Sequence, residues 1–96
     1  EIDRVREDGL GAYLEGRQLL QSERFDLALP ALRRAETRGL PTERLQDERL
    51  RLEAMAHFAE GDLDAAERVW RRAASRPRLR HEAGDWLLRI AHTRAL

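Results

Sequence analysis

Ninety-six residues suit one domain with one modest core, and the 18 acidic and 18 basic residues cancel, so no net field steers the chain to a polyanion or an anionic membrane. The absence of Cys excludes disulfide scaffolds and thiolate metal sites, and no apolar run approaches the roughly 18 residues of a membrane span. Leu, Ala, Arg and Glu dominate and β-branched residues are few, which favours helices over strands. All 18 basic residues are Arg; the expected cause is codon bias in a GC-rich, bacterial genome, with selection for bidentate Arg contacts as the alternative. The chain begins at Glu1 without an initiator Met and shows no signal-peptide pattern. The expectation is a piece of a larger protein, cytoplasmic rather than periplasmic.

Breakers divide the chain into five helical segments. The first is expected from about Asp3 to Gln21, with Val5, Tyr13, Leu14, Leu19 and Leu20 apolar and with Gly9, Gly11, Ala12 and Gly16 allowing close approach. Ser22-Glu23-Arg24 is a weak break. The second runs from about Asp26 to Arg38 with Leu29, Leu32 and Ala35 on one face, and Pro30 sits early enough to cost at most one backbone bond. Gly39-Leu40-Pro41 is a stop, with Gly39 placed for a left-handed residue after the helix. The third runs from about Thr42, a candidate N-cap, to Glu60, with an inward stripe of Leu45, Leu52, Met55, Ala56 and Ala59. After Gly61-Asp62, the fourth runs from about Leu63 to Ser75 with Ala66, Val69, Trp70 and Ala73 inward. The fifth follows Arg76-Pro77, from about Arg80 to Ala95, with Trp86, Leu87 and Ile90 on one side. Short loops make consecutive helices antiparallel neighbours.

Sliding the chain on itself by 38 residues overlays Tyr13–Glu36 on Arg51–Ala74. Identities fall at Leu14/Leu52, Glu15/Glu53, Asp26/Asp64, Ala28/Ala66, Arg33/Arg71, Arg34/Arg72 and Ala35/Ala73, and Gly16/Ala54, Leu20/Phe58, Phe25/Leu63 and Leu32/Trp70 match in character. A helix–turn–helix unit repeated at this spacing means stacked hairpins, neither of which buries its face alone. The spacing Gly16, Ala28, Leu32, Ala35, Pro41 and then Ala54, Ala66, Trp70, Ala73, Pro77 resembles the tetratricopeptide repeat, as does the stretch from Ala54 to Glu67. Three features depart from that family: a period of 38 in place of about 34, Ala12 and Leu50 where it has a large aromatic early in each first helix, and Glu15 and Glu53 where it prefers Leu. The resemblance implies an all-α domain over residues 1–96. It would contain two hairpins, at about 9–38 and 42–76, and a C-terminal capping helix at about 80–95.

The same resemblance implies a non-catalytic adaptor or scaffold that holds a peptide or helix of another protein in a groove lined by the first helix of each hairpin. Carried over by the 38-residue register, the partner-binding residues would be Tyr13, Arg17, Arg51 and Met55. An aromatic ring, an adaptable thioether and Arg forks for carboxylates form a suitable binding set. Leu20 and Phe58 share the register but read as core. The carboxylate clamp of the cochaperone subfamily needs Lys and Asn, and this chain has neither.

Arg76, Arg78 and Arg80 form a second candidate surface, within a basic cluster that Glu43, Asp47 and Glu48 are expected to face. Without interleaved stacking aromatics it does not read as a nucleic-acid interface. Glu60, Asp62, Asp64 and Glu67 lack the calcium-loop glycine, and His57, His81 and His92 lack the i, i+4 spacing of a helical zinc pair. No metal, cofactor or catalytic constellation is therefore expected. Trp86 is expected to pack on the Trp70 hairpin. Self-association of the array, or its docking on its own parent protein, is the alternative function.

Overall fold

The computed structural model describes residues 9–96, and the expected helical turns over residues 3–8 lie outside them. Five helices follow in chain order: α1 (Leu10–Gln21), α2 (Phe25–Arg38), α3 (Glu43–Ala59), α4 (Leu63–Ala73) and α5 (Arg80–Ala95). Among the described residues there is no strand. Each helix packs on the next, and α1 also touches α3, so the two hairpins stack side by side.

The 38-residue equivalence holds in the backbone. Helices α1 and α3 end on equivalent residues, Gln21 and Ala59, and α2 and α4 begin on equivalent residues, Phe25 and Leu63. Both tight turns are Schellman motifs. In the first, Arg24 N–H donates to Leu19 C=O at 2.8 Å and Glu23 N–H to Leu20 C=O at 2.9 Å. In the second, Asp62 N–H donates to His57 C=O at 2.9 Å and Gly61 N–H to Phe58 C=O at 3.0 Å. The motif needs one residue at positive φ. Gly61 (82°) supplies it without steric cost, whereas Glu23 (59°) supplies it against one.

Helix starts differ more. Thr42 accepts from Leu45 N–H at 3.1 Å and Asp62 from Ala65 N–H at 3.1 Å, whereas Arg24 offers α2 no side-chain cap. Gly39 ends α2 at φ 86°, ψ 145°. That is the region only glycine enters freely, and it differs from the left-handed helical geometry expected there.

The core forms two linked clusters. Ala12, Tyr13, Leu32, Ala35 and Leu40 fill the first hairpin, and Leu45 and Leu52 of α3 pack against them. Leu50, Ala54, Ala66, Val69, Trp70, Ala73, Leu79, Ala83 and Ile90 fill the second hairpin and seat α5 on it. The small residues shared by the repeat, Gly16/Ala54, Ala28/Ala66 and Ala35/Ala73, are all buried, which lets the paired helices approach closely. Trp86 stacks on Trp70 with ring centroids 5.6 Å apart and planes 8° from parallel, and it meets Phe58 edge-on at 5.0 Å. Thus α5 closes the second hairpin as expected.

One expected face is wrong. On α3, Met55 and Ala59 are exposed, while Asp47, Arg49, Leu50, Glu53, Ala54, Ala56 and His57 are buried. This helix lies between α2 and α4, so it is covered on two sides, and a single apolar stripe cannot describe it.

Candidate functional site

The arginines tie the helices together. On α3, the buried Arg49 donates to Glu53 at 2.7 Å and lies 3.4 Å from Glu36 of α2. Arg72 of α4 donates to the same Glu36 at 2.8 Å. Burial pushes the Glu36 carboxyl up, but the hydrogen bond from Arg72 and the charges of Arg49 and Arg72 outweigh it and hold it below the ordinary carboxylate value. On the outer side, Arg94 of α5 donates to Glu67 at 2.6 Å and also reaches Asp64. Hydrogen bonds from Arg94 and Arg71 lower the Glu67 carboxyl in turn.

The basic cluster after α4 is largely neutralised by acids of α3. Arg76 donates to Asp47 and, at 2.5 Å, to Glu43, and Arg78 donates to Asp47 at 3.4 Å. The hydrogen bond to Asp47, followed by the charges of Asp47 and Glu43, strengthens the Arg76 guanidinium's hold on its proton. Arg80 is exposed at the start of α5 and has no ion pair among the described residues. Arg76 and Arg78 therefore act first as a brace between the loop before α5 and the start of α3, with Arg80 standing apart.

Tyr13 is only 3% exposed and packs with Leu32, Ala35 and Leu40. This corrects its assignment as a partner-binding residue, because its ring belongs to the core. Its register partner Arg51 is half-exposed, but it is held by Glu48 at 2.6 Å and by Glu82 of α5 at 2.9 Å. Arg51 thus braces α3 against α5 and is no free fork. Arg17 is exposed without an ion pair among the described residues, and the equivalent Met55 is 36% exposed. Leu14, one turn before Arg17, is also exposed. Leu20 and Phe58 are partly buried, and Phe58 packs on the second core. The surface left on the first helices is thus Leu14, Arg17 and Met55. The structure does not add Tyr13 to it, and it gives Arg51 a structural duty.

Sequence reasoning passed over a cleft of about 330 Å³ between α2, α3 and α4, lined by Arg33, Glu53, His57, Asp62, Arg68 and Arg72 among others. The overlay carried one sign of it, since His57 stands where the first hairpin has Leu19. Among the described residues, no group of three or more His, Asp or Glu side chains has metal-site geometry. No helix among them is long and apolar enough to cross a membrane.

Compared with family models, curated proteins and solved structures, the chain matches none of them.

Proposed function

We propose that this chain is a non-catalytic protein-interaction module of tetratricopeptide-like build that holds a segment of a partner protein on the face shared by α1 and α3. The observation that supports this reading is the exposure of Leu14 and Arg17 on α1 and of Met55 on α3. Two large apolar side chains and one unpaired guanidinium are left at the surface of the two stacked first helices, where Ala12, Tyr13, Leu50 and Ala54 are buried. The partner segment that fits is extended or helical, with apolar side chains for Leu14 and Met55 and a carboxylate for Arg17.

Arg17→Glu combined with Met55→Glu is the test, because neither residue braces the fold. Partner capture should be lost while helicity and melting temperature stay near those of the parent chain. If capture survives that change and is lost on charge reversal at Arg76, Arg78 and Arg80, the surface is wrongly assigned.

A second reading, self-association or docking within a longer protein, is favoured by α5. Leu88 is 73% exposed. Its equivalent 38 residues earlier is Leu50, 5% exposed and packed in the second core on α3. Among the described residues nothing covers the matching face of α5. Light scattering across a concentration series should show a dimer that Leu88→Glu dissolves; a monomer at millimolar concentration excludes self-association.

A further inference from the structure

Among the described residues, the four buried polar or charged side chains, Asp47, Arg49, Glu53 and His57, all lie on α3. Three have ionic partners: Asp47 meets Arg76 and Arg78, and Arg49 meets Glu53. His57 is 7% exposed, and its ring makes no hydrogen bond among the described residues. An imidazole carries at least one N–H donor, and with no protein acceptor that donor is left for water or a ligand. The ring nitrogens are not sealed off in the way Trp70 Nε1 is, and His57 lines the cleft between α2, α3 and α4.

The remaining walls carry three guanidinium groups, of Arg33, Arg68 and Arg72, against two carboxylates, of Glu53 and Asp62. Glu53 is engaged by Arg49 at 2.7 Å, and Asp62 accepts the α4 backbone N–H of Ala65 at 3.1 Å. Arg72 reaches Glu36, whereas Arg33 and Arg68 have no ion pair among the described residues. Two unpaired guanidinium groups and an unpartnered imidazole therefore converge on one cleft.

We propose that this cleft binds an oxyanion, a phosphate monoester or carboxylate group of a ligand, with Arg33 and Arg68 as charged forks and His57 as the hydrogen-bond donor on its floor. Guanidinium groups form bidentate charge-assisted bonds with both kinds of oxyanion. The imidazole has no counterpart in the first hairpin, since Leu19 stands at the position of His57 there.

The test is an NMR titration that follows His ring nitrogens and Arg Nε groups. Inorganic phosphate is added in one series and acetate in another, at ionic strength held constant with chloride. Saturable shifts are expected at His57, Arg33 and Arg68. Arg33→Gln combined with Arg68→Gln, both on the surface, should weaken binding by about tenfold or more, as loss of two charged hydrogen bonds implies. Saturation by phosphate alone assigns a phosphate group, and matching saturation by acetate assigns a carboxylate. Shifts that stay linear in anion concentration, affinity unchanged in the double variant, or saturation confined to Arg76 and Arg78 would overturn the site. His57→Leu copies the first hairpin and should remove the residual binding of the double variant. The double variant decides the matter on its own should that substitution disturb folding.

Discussion

The two hairpins share the backbone of their tight turns and differ in side chains and at their open ends. At the tight turn, Glu23 and Gly61 occupy the same positive-φ position of the same hydrogen-bonded motif. At the open end, the first hairpin closes by backbone contact, with Gly9 N–H donating to Gly39 C=O at 2.5 Å. The residue equivalent to Gly9 is Asp47, and the second hairpin closes there through the Asp47–Arg76 ion pair. In the core, Leu32 is replaced by Trp70, and both are fully buried. What stays constant is the small residues at the helix crossings and the shape of the turn. Side-chain chemistry at the other positions is free to diverge, and His57 is one result.

The largest effects should come from the core. Trp70→Ala should cost about 3–5 kcal/mol and Leu32→Ala about 2–5 kcal/mol. The two should also differ in place. Trp70 sits in the cluster that joins α3, α4 and α5, so its loss should expose amides in all three to hydrogen exchange. Leu32→Ala should first expose α1 and α2. Equal loss of protection over all five helices in both variants would show that the hairpins unfold as one unit.

The open ends come next. A Cβ on Gly9 would lie 2.3 Å from Ala35 O and 2.7 Å from Gly39 O, both backbone atoms that cannot swing away. Gly9→Ala should therefore cost about 2–3 kcal/mol through overpacking. Asp47→Ala should cost less, about 1–2 kcal/mol, because Arg76 keeps Glu43 and part of its side chain remains in water. Urea midpoints for the pair decide the matter. If Asp47→Ala is the more damaging, the ionic closure is the stronger of the two.

The tight turns should respond in opposite directions. Gly61→Ala puts a Cβ at φ 82° and should cost about 1 kcal/mol. Glu23→Gly removes that strain but frees the unfolded chain, so its net gain should be smaller, about 0.5 kcal/mol. A loss on Glu23→Gly would mean that the Glu23 side chain contributes more than its backbone geometry suggests.

Much of the fold was legible because its punctuation is local. The breaks at 22–24, at Gly39, at Gly61 and at Pro77, and the inward faces of α2 and α4, follow from turn chemistry and from one-sided burial. Helix α3 defeated the same reading. It is covered on two sides, and several positions that face its neighbours hold charged residues whose burial is compensated by Arg–carboxylate pairs, which no polarity pattern reveals. The groove assignment failed at Tyr13 for a related reason. The register equates Tyr13 with the half-exposed Arg51, but the close backbone contact at Gly9 presses the start of α1 onto the end of α2 and takes the ring into the core. Arg51 is held by the local Glu48 at 2.6 Å, a spacing the sequence offered, and by Glu82 of α5, a partner 31 residues away that no local pattern reveals.

The smallest predicted effect tests how α2 starts. Equivalent backbone N–H groups stand at Leu27 and Ala65, three residues after each turn. In the second hairpin, Ala65 N–H is taken by the Asp62 carboxylate at 3.1 Å. In the first, Arg24 has no acceptor to offer, and Leu27 N–H donates instead to the Arg24 backbone carbonyl at 3.2 Å. Arg24→Asp should transplant the cap, and its charge also suits the positive end of the helix. Because the new bond competes with an existing backbone bond and sits beside the like charge of Glu23, the gain should be about 0.5 kcal/mol rather than the roughly 1 kcal/mol of a full N-cap. A matching loss from Asp62→Arg, measured in the same urea series, would show the two starts to be interchangeable. If Arg24→Asp leaves the midpoint unchanged while Asp62→Arg lowers it, the strained turn at Glu23 holds the first residue of α2 out of capping reach, and Glu23→Gly combined with Arg24→Asp should then recover the gain.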